Sequence, residues 1–168
     1  MFDDCAPRIW SYVARMTGGD SATVADTVQE VFLTAADRMA SFRREQGTWI
    51  AWLLGIAHRQ SALHWRDRER QQRLRQSVAE RSPPNVLQAL QVIDAERQET
   101  ADAVRLIVAE MPEQAAALLV GRYLEDRSTA ELAADFQISE QAVRSRLVRA
   151  RERFRELFAS TFHDLVPL

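Results

Sequence analysis

The chain has 168 residues, 46% of them hydrophobic, and a net charge of −2 from 22 basic and 24 acidic residues. That apolar content suffices for a packed core in one domain or two small ones. No apolar run reaches the roughly 18 residues that span a bilayer, and the opening MFDDCAPRIW lacks the plan of a signal peptide, so a cytoplasmic chain without membrane insertion is expected. Cys5 is the single cysteine, which excludes an internal disulfide and a CxxC site. His58, His64 and His163 do not stand at metal-ligand spacing, so neither a metal nor a cofactor is expected. No nucleophile–base pair or phosphate loop supports an enzyme, and no catalytic residue is expected.

Glycine is scarce, with five in the chain, and no alternating strand pattern is found. Segments with a 3.6-residue apolar period cover most of the sequence, which predicts an all-α fold. The spacing points to two small helical domains, residues 1–76 and 96–168, joined by a flexible linker at 77–95. In the first, Val24, Val28, Val31, Phe32 and Ala35 share one face of a helix around Asp26 to Asp37. The opposite face carries Asp26, Gln29, Glu30 and Asp37, with Leu33 among them. A leucine ringed by carboxylates is either an ordinary exposed residue or the apolar anchor of a protein-docking surface.

The next helix, TWIAWLLGIAHRQSALHWRDRERQQRLRQ, begins apolar on nearly every side. It carries Trp49, Trp52 and Trp65, then an arginine ladder of Arg66, Arg68, Arg70, Arg73 and Arg75. Aromatic rings beside guanidinium groups suit single-stranded DNA, where bases stack and phosphates are held. The alternative is that the tryptophans are core and the arginines a solvated face, and at least one tryptophan is expected in the core.

Ser82-Pro83-Pro84-Asn85 breaks the helical pattern. A short helix is expected at Val86 to Ala95 and a longer one at about Glu96 to Glu110. A third follows at Glu113 to Leu124, entered through Pro112. From Ser128 to Leu157 two helices are joined by a tight turn. Ser128 and Glu131 form a capping box for the first, whose apolar side is Ala130, Leu132, Ala133 and Phe136. Ser139 caps the second, in which Val143, Leu147, Ala150, Phe154 and Leu157 form one stripe. Arg144, Ser145, Val148 and Arg149 fall off that stripe in its early turns, where a helix-turn-helix presents base-reading groups to the major groove.

Charge supports nucleic acid as a partner despite the acidic total. Residues 41–75 carry eight arginines against three acids, and 141–168 carry six against three. Residues 76–140 carry five arginines against twelve acids, so two basic blocks flank an acidic middle. DNA responds to such local patches because counterions are released locally. Lysine is absent, so every basic residue is arginine, a bias that base readout and a GC-rich genome explain equally.

VADTVQEVFLTAADRMASF, GTWIAWLLGIAHRQSALHWRDRER and MPEQAAALLVGRYLEDRSTAELAADFQISEQAVRSRLVRARERFREL occur in this order. Over about residues 2–158 the chain resembles the bacterial RNA polymerase sigma factors of the extracytoplasmic-function group, which have only regions 2 and 4. The resemblance implies a promoter-specificity subunit that is not an enzyme and that binds core RNA polymerase and promoter DNA. Asp26, Gln29, Glu30 and Leu33 would dock on the clamp coiled coil of the largest polymerase subunit. The loop Phe42-Arg43-Arg44-Glu45-Gln46-Gly47-Thr48 would hold a base flipped from the minus-10 element. Trp49, Trp52, Arg59 and Arg66 would add contacts there. Arg144, Ser145, Val148 and Arg149, with Ser128 and Thr129, would read the minus-35 duplex. The connector would thread towards the RNA exit path. An anti-sigma protein would mask both DNA-binding domains.

Three positions depart from the family pattern. Arg59 replaces a frequent Asn, and His64 stands near a place usually acidic or small and polar. Gln137 occupies the helix-turn-helix turn where glycine is frequent, which predicts backbone strain of order 1 kcal/mol. The rival readings are a two-domain helix-turn-helix regulator and a helical polymerase adaptor that does not bind DNA. The first expects an α/β receiver, which residues 1–76 do not suggest, and the second expects loss of the exposed arginines.

Overall fold

The computed structural model describes residues 2–79 and 89–161, and among them it holds seven α-helices and no strand. The first unit is α1 (Phe2–Thr17), α2 (Ser21–Asp37) and α3 (Trp49–Ala79). The second is α4 (Ala89–Ala109), α5 (Glu113–Tyr123), α6 (Thr129–Phe136) and α7 (Glu140–Thr161). Short 3₁₀ turns at Met39–Ser41 and Arg44–Gln46 link α2 to α3.

The starts of α2, α3, α6 and α7 each have a local cause. Gly18 and Gly19 turn the chain at φ of 92° and 83°, which glycine adopts without a Cβ penalty. Asp20 then caps α2, its carboxylate accepting from the Thr23 amide at 3.0 Å and from the Thr23 hydroxyl at 2.6 Å. The Ala51 amide donates to the Thr48 hydroxyl at 3.1 Å at the start of α3. The expected capping box is formed in α6: the Glu131 amide donates to Ser128 Oγ at 3.2 Å and the Ser128 amide to Glu131 Oε2 at 2.9 Å. Ser139 caps α7 through the Ala142 amide at 3.1 Å.

In the first unit Ile9, Tyr12, Val13 and Met16 of α1 meet Val24, Val31 and Ala35 of α2 over the head of α3. Thr27 joins the buried face of α2, while Val28 and Phe32 are only partly covered. Trp65 is the core tryptophan: it is 4% exposed and its indole N–H donates to the Met16 carbonyl. The all-round apolar start of α3 has a direct explanation. Leu53 to His58 are buried without a break because α1 and α2 cover one side and α5 the other. Helix α5 is buried likewise from Ala116 to Gly121. The two units therefore close over one contiguous apolar core rather than two separate ones.

Several expectations need correction. The anticipated linker at 77–95 is partly helical: its first residues finish α3, and α4 starts at Ala89 and runs unbroken to Ala109 in place of two separate helices. The Pro83-Pro84 break, and Phe162, Leu165 and Val166 of the tail, lie outside the described residues. Ala130 is exposed, because Leu132, Ala133 and Phe136 define the inward side of α6 and position 130 lies about 200° from 132 around the helix. Gln137 sits in the left-handed region at φ 52°, ψ 46°, as expected for the turn residue.

His58 ties the units together. Its Nε2 lies 3.0 Å from the Met111 carbonyl and its Nδ1 3.1 Å from the Tyr12 hydroxyl. A carbonyl only accepts, so Nε2 carries the proton and Nδ1 accepts from Tyr12. Burial pushes the imidazole below its ordinary value of 6.5 and raises the Tyr12 phenol, so both stay neutral. The unfolded chain thus binds the extra proton: stability is complete above pH 6.5 and is lost as the pH falls below it towards the folded value. His58→Gln keeps an N–H for Met111 but does not titrate. Thermal melts between pH 7.5 and 5 should show a steeper acid-side decline for the native chain than for this variant. Equal slopes would reject the buried neutral histidine.

Candidate nucleic-acid interface

Helices α6 and α7 form a compact reader. Leu132 packs against Gly121 so closely that a Cβ on that glycine would meet Leu132 Cδ2 at 2.8 Å. Val143, Leu147 and Ala150 fix α7 on this base, and Phe154 and Leu157 continue the stripe partly buried. Arg144, Ser145, Val148 and Arg149 all face solvent, and Val148 is 43% exposed, high for an aliphatic side chain. Thr129 donates to Glu140 at 2.8 Å, and Arg144 lies 3.7 Å from the same carboxylate, which links the start of α6 to the early turns of α7. An exposed i,i+4 pair is worth only tenths of a kcal/mol, so Arg144 is easily released to a phosphate or a base. Arg149 lies beside a groove with Gln114, Leu118 and Arg146, and Arg153 is paired with Glu156 at 3.1 Å. Ser128 is committed to its capping box.

A second site lies at the head of α3. Phe42, Trp49 and Trp52 form an aromatic cluster with centroids 5.1, 5.5 and 4.9 Å apart. Arg43 folds back on its own loop and donates to the Ala40 carbonyl at 2.7 Å, while Arg44 is exposed in the adjacent 3₁₀ turn. Gly47, at φ 149°, releases the chain from this turn in a conformation unsuited to other residues. A cavity of about 320 Å³ opens here, between Phe42, Arg43, Trp52 and Arg59 on one wall and Glu113, Gln114 and Phe136 of the second unit on the other. Arg59 pairs with Glu113 at 2.7 Å, and Arg66 lies 3.8 Å from Glu110. Arg68 lies over the Trp65 ring at 4.9 Å and pairs with Asp102 at 3.1 Å, so this rung of the arginine ladder braces α3 against α4.

The third surface is the outer face of α2, where Asp26, Gln29, Glu30 and Leu33 are all exposed and Leu33 is 52% so. Sequence reasoning missed the partners facing the α3 site, namely Arg8, Asp135 and Glu113. Ordinary charged residues give no signal in the sequence when their contacts lie 54 to 127 positions away.

Comparison with known proteins bears on these surfaces. Residues 1–71 match the model for sigma-70 region 2, and residues 101–154 match that for sigma-70 region 4. The chain is 30% identical over 155 residues to the ECF RNA polymerase sigma factor SigL of three Mycobacterium tuberculosis strains, covering 88% of this chain and 80% of the relative. The chain is a sigma factor of the extracytoplasmic-function group. It directs promoter-specific transcription and belongs to a regulatory, non-catalytic class of proteins. Among solved structures it matches the sigma factor RpoE in complex with the anti-sigma factor NepR from Bartonella quintana, at 16% identity and a TM-score of 0.42, with 93% of this chain and 92% of that one covered. No helix among the described residues of this sigma factor is long and apolar enough to cross a membrane, and no group of three or more His, Cys, Asp or Glu is placed to hold a metal.

Arg144 and Arg149 stand exposed in the early turns of α7, and Arg153 lies further along the helix, 3.1 Å from Glu156. An arginine bidentate to guanine discriminates by about 1–3 kcal/mol, whereas one on phosphate weakens all sequences alike. Arg144→Ala or Arg149→Ala should relax preference at one or two minus-35 positions, and Arg153→Ala should change little. Holoenzyme binding to promoters with single minus-35 changes measures this. A dominant effect of Arg153→Ala would misplace α7 in the groove.

Proposed function

We propose that this sigma factor reads the minus-35 duplex with the early turns of α7 and takes up the displaced minus-10 strand at the head of α3. It docks on core polymerase through the outer face of α2. The observation that carries this reading is the capped α6–turn–α7 pair with Arg144, Ser145, Val148 and Arg149 exposed off the buried stripe. Thr129, at the start of α6 and hydrogen-bonded to Glu140 of α7, offers a hydroxyl to a backbone phosphate, and Arg44 and the Phe42–Trp49–Trp52 cluster offer charge and stacking surface to unpaired bases. Where the family often has Asn, Arg59 brings a charge to the α3 site and favours a phosphate contact there.

Core RNA polymerase, promoter DNA and an anti-sigma protein that masks both DNA-binding units are the proposed partners. The chain acts in the cytoplasm, needs no cofactor and catalyses nothing itself, since the polymerase supplies the chemistry. Run-off transcription on a genomic fragment library, with core polymerase alone and with this chain added, tests the reading. New discrete transcripts sharing a motif are expected, and identical transcripts in both arms would reject it. Leu33→Asp should weaken core binding by about 2 kcal/mol if Leu33 is a hot spot, with the thermal midpoint unchanged. Undiminished affinity would remove α2 as the docking face.

A further inference from the structure

Glu140 opens α7 beside the residues proposed to read the minus-35 duplex. It is the one acid ahead of Glu152 on a helix that carries Arg144, Arg146, Arg149 and Arg151 over the same stretch. A carboxylate turned towards phosphates weakens binding to every sequence alike unless it accepts something in return. Two donors already meet it. The Thr129 hydroxyl of α6 donates to Glu140 Oε2 at 2.8 Å, and Arg144 Nη1 lies 3.7 Å from the same oxygen. Both contacts use Oε2, so Oε1 keeps its acceptor capacity, and the Glu140 side chain is 46% exposed.

Glu140 and Arg144 stand at i and i+4, so their side chains lie together on one face of α7. The ionised carboxylate only accepts and the guanidinium only donates. The major-groove edge of a G·C pair has the matching order: guanine O6 and N7 accept, and the cytosine amino group beside them donates. An A·T pair reverses both partners there. The adenine amino group faces the guanidinium with a second donor, and thymine O4 faces the carboxylate with a second acceptor. A joined acid and arginine therefore reject A·T at both points, whereas arginine alone rejects it at one. The acid also suits the positive end of the α7 dipole, a role that carries no base preference.

We propose that Glu140 is a specificity determinant of the minus-35 reader, accepting from the cytosine amino group of the G·C pair whose guanine Arg144 contacts. This rests on the proposed function, because it takes the early turns of α7 as the base-reading surface. Thr129 anchors the carboxylate from α6, so two elements rather than one fix its position. The exposed Arg144–Glu140 contact is weak enough for both side chains to turn from each other to the base pair.

The test is competition binding of holoenzyme to promoters found by run-off transcription, with each minus-35 pair replaced in turn. Glu140→Gln keeps a carbonyl oxygen for Thr129 and gains an amide that tolerates thymine O4. At one position it should cut the preference for G·C over A·T roughly tenfold, with the other positions unchanged. Arg144→Ala should relax that same position, and the double variant should relax it by less than the product of the two single effects. Thr129→Val, which removes the anchoring hydroxyl, should weaken all sequences alike. Unaltered preference or equal tightening on every sequence with Glu140→Gln would reduce Glu140 to a repelling acid. Relaxation of the same position by Thr129→Val would make it a brace for α6. Either result overturns the inference. If Arg144→Ala relaxes a position that Glu140→Gln leaves intact, the base role of Glu140 fails while α7 keeps its place in the groove. If neither Arg144→Ala nor Arg149→Ala alters any preference, the placement of α7 fails, and the role of Glu140 with it.

Discussion

The architecture turns on one buried imidazole. His58 stands where α3, α1 and the α4–α5 corner meet, and its two nitrogens are used on opposite sides, one by Tyr12 and one by the Met111 carbonyl. Neither bond is worth much more than a kcal/mol net, but leaving either partner buried and unsatisfied would cost about 1–3 kcal/mol. The pair therefore fixes register. It sets how α5 crosses α3, and through α5 it sets where α6 and α7 lie. Around it the uninterrupted buried segments 53–58 of α3 and 116–121 of α5 complete a single core.

Acids of the stretch between the two basic blocks pair with arginines of α3: Glu113 with Arg59 at 2.7 Å and Glu110 with Arg66 at 3.8 Å. The shared core holds the units together, while the ion pairs at its edge lie in high dielectric and each contributes little. Asp26, Gln29, Glu30 and Leu33 of α2 and Arg144, Ser145, Val148 and Arg149 of α7 remain exposed in this arrangement.

What could be read from the sequence was local. The Ser128–Glu131 box, the Ser139 cap and the stripe from Val143 to Leu157 depend on spacings of three and four residues, and the helices follow them. The α2 face around Leu33 was visible for the same reason. Trp65 was recognisable as a candidate for the core, but the sequence could not separate it from Trp49 and Trp52, because aromatic residues at helical spacing look alike until the covering helix is known. The continuity of α4 was obscured by the proline pair upstream, which stops a helix but says nothing of where the next one starts. Ala130 was misplaced because alanine is tolerated on either side of a helix. The roles of Asp135 and Glu113 were invisible: each is an unremarkable acid until the fold brings an arginine from the other unit against it.

The central claim is that the two units of the free chain share one core. Spin labels at two exposed sites, introduced as Ala25→Cys on α2 and Gln141→Cys on α7 in a Cys5→Ala background, report the separation by double electron–electron resonance. The free chain should give one narrow distribution at short distance, which lengthens by tens of ångströms when holoenzyme forms on promoter DNA. A broad distribution in the free chain, unaltered in width by Arg8→Ala or His58→Gln, would show two units that are merely tethered and would contradict the shared core.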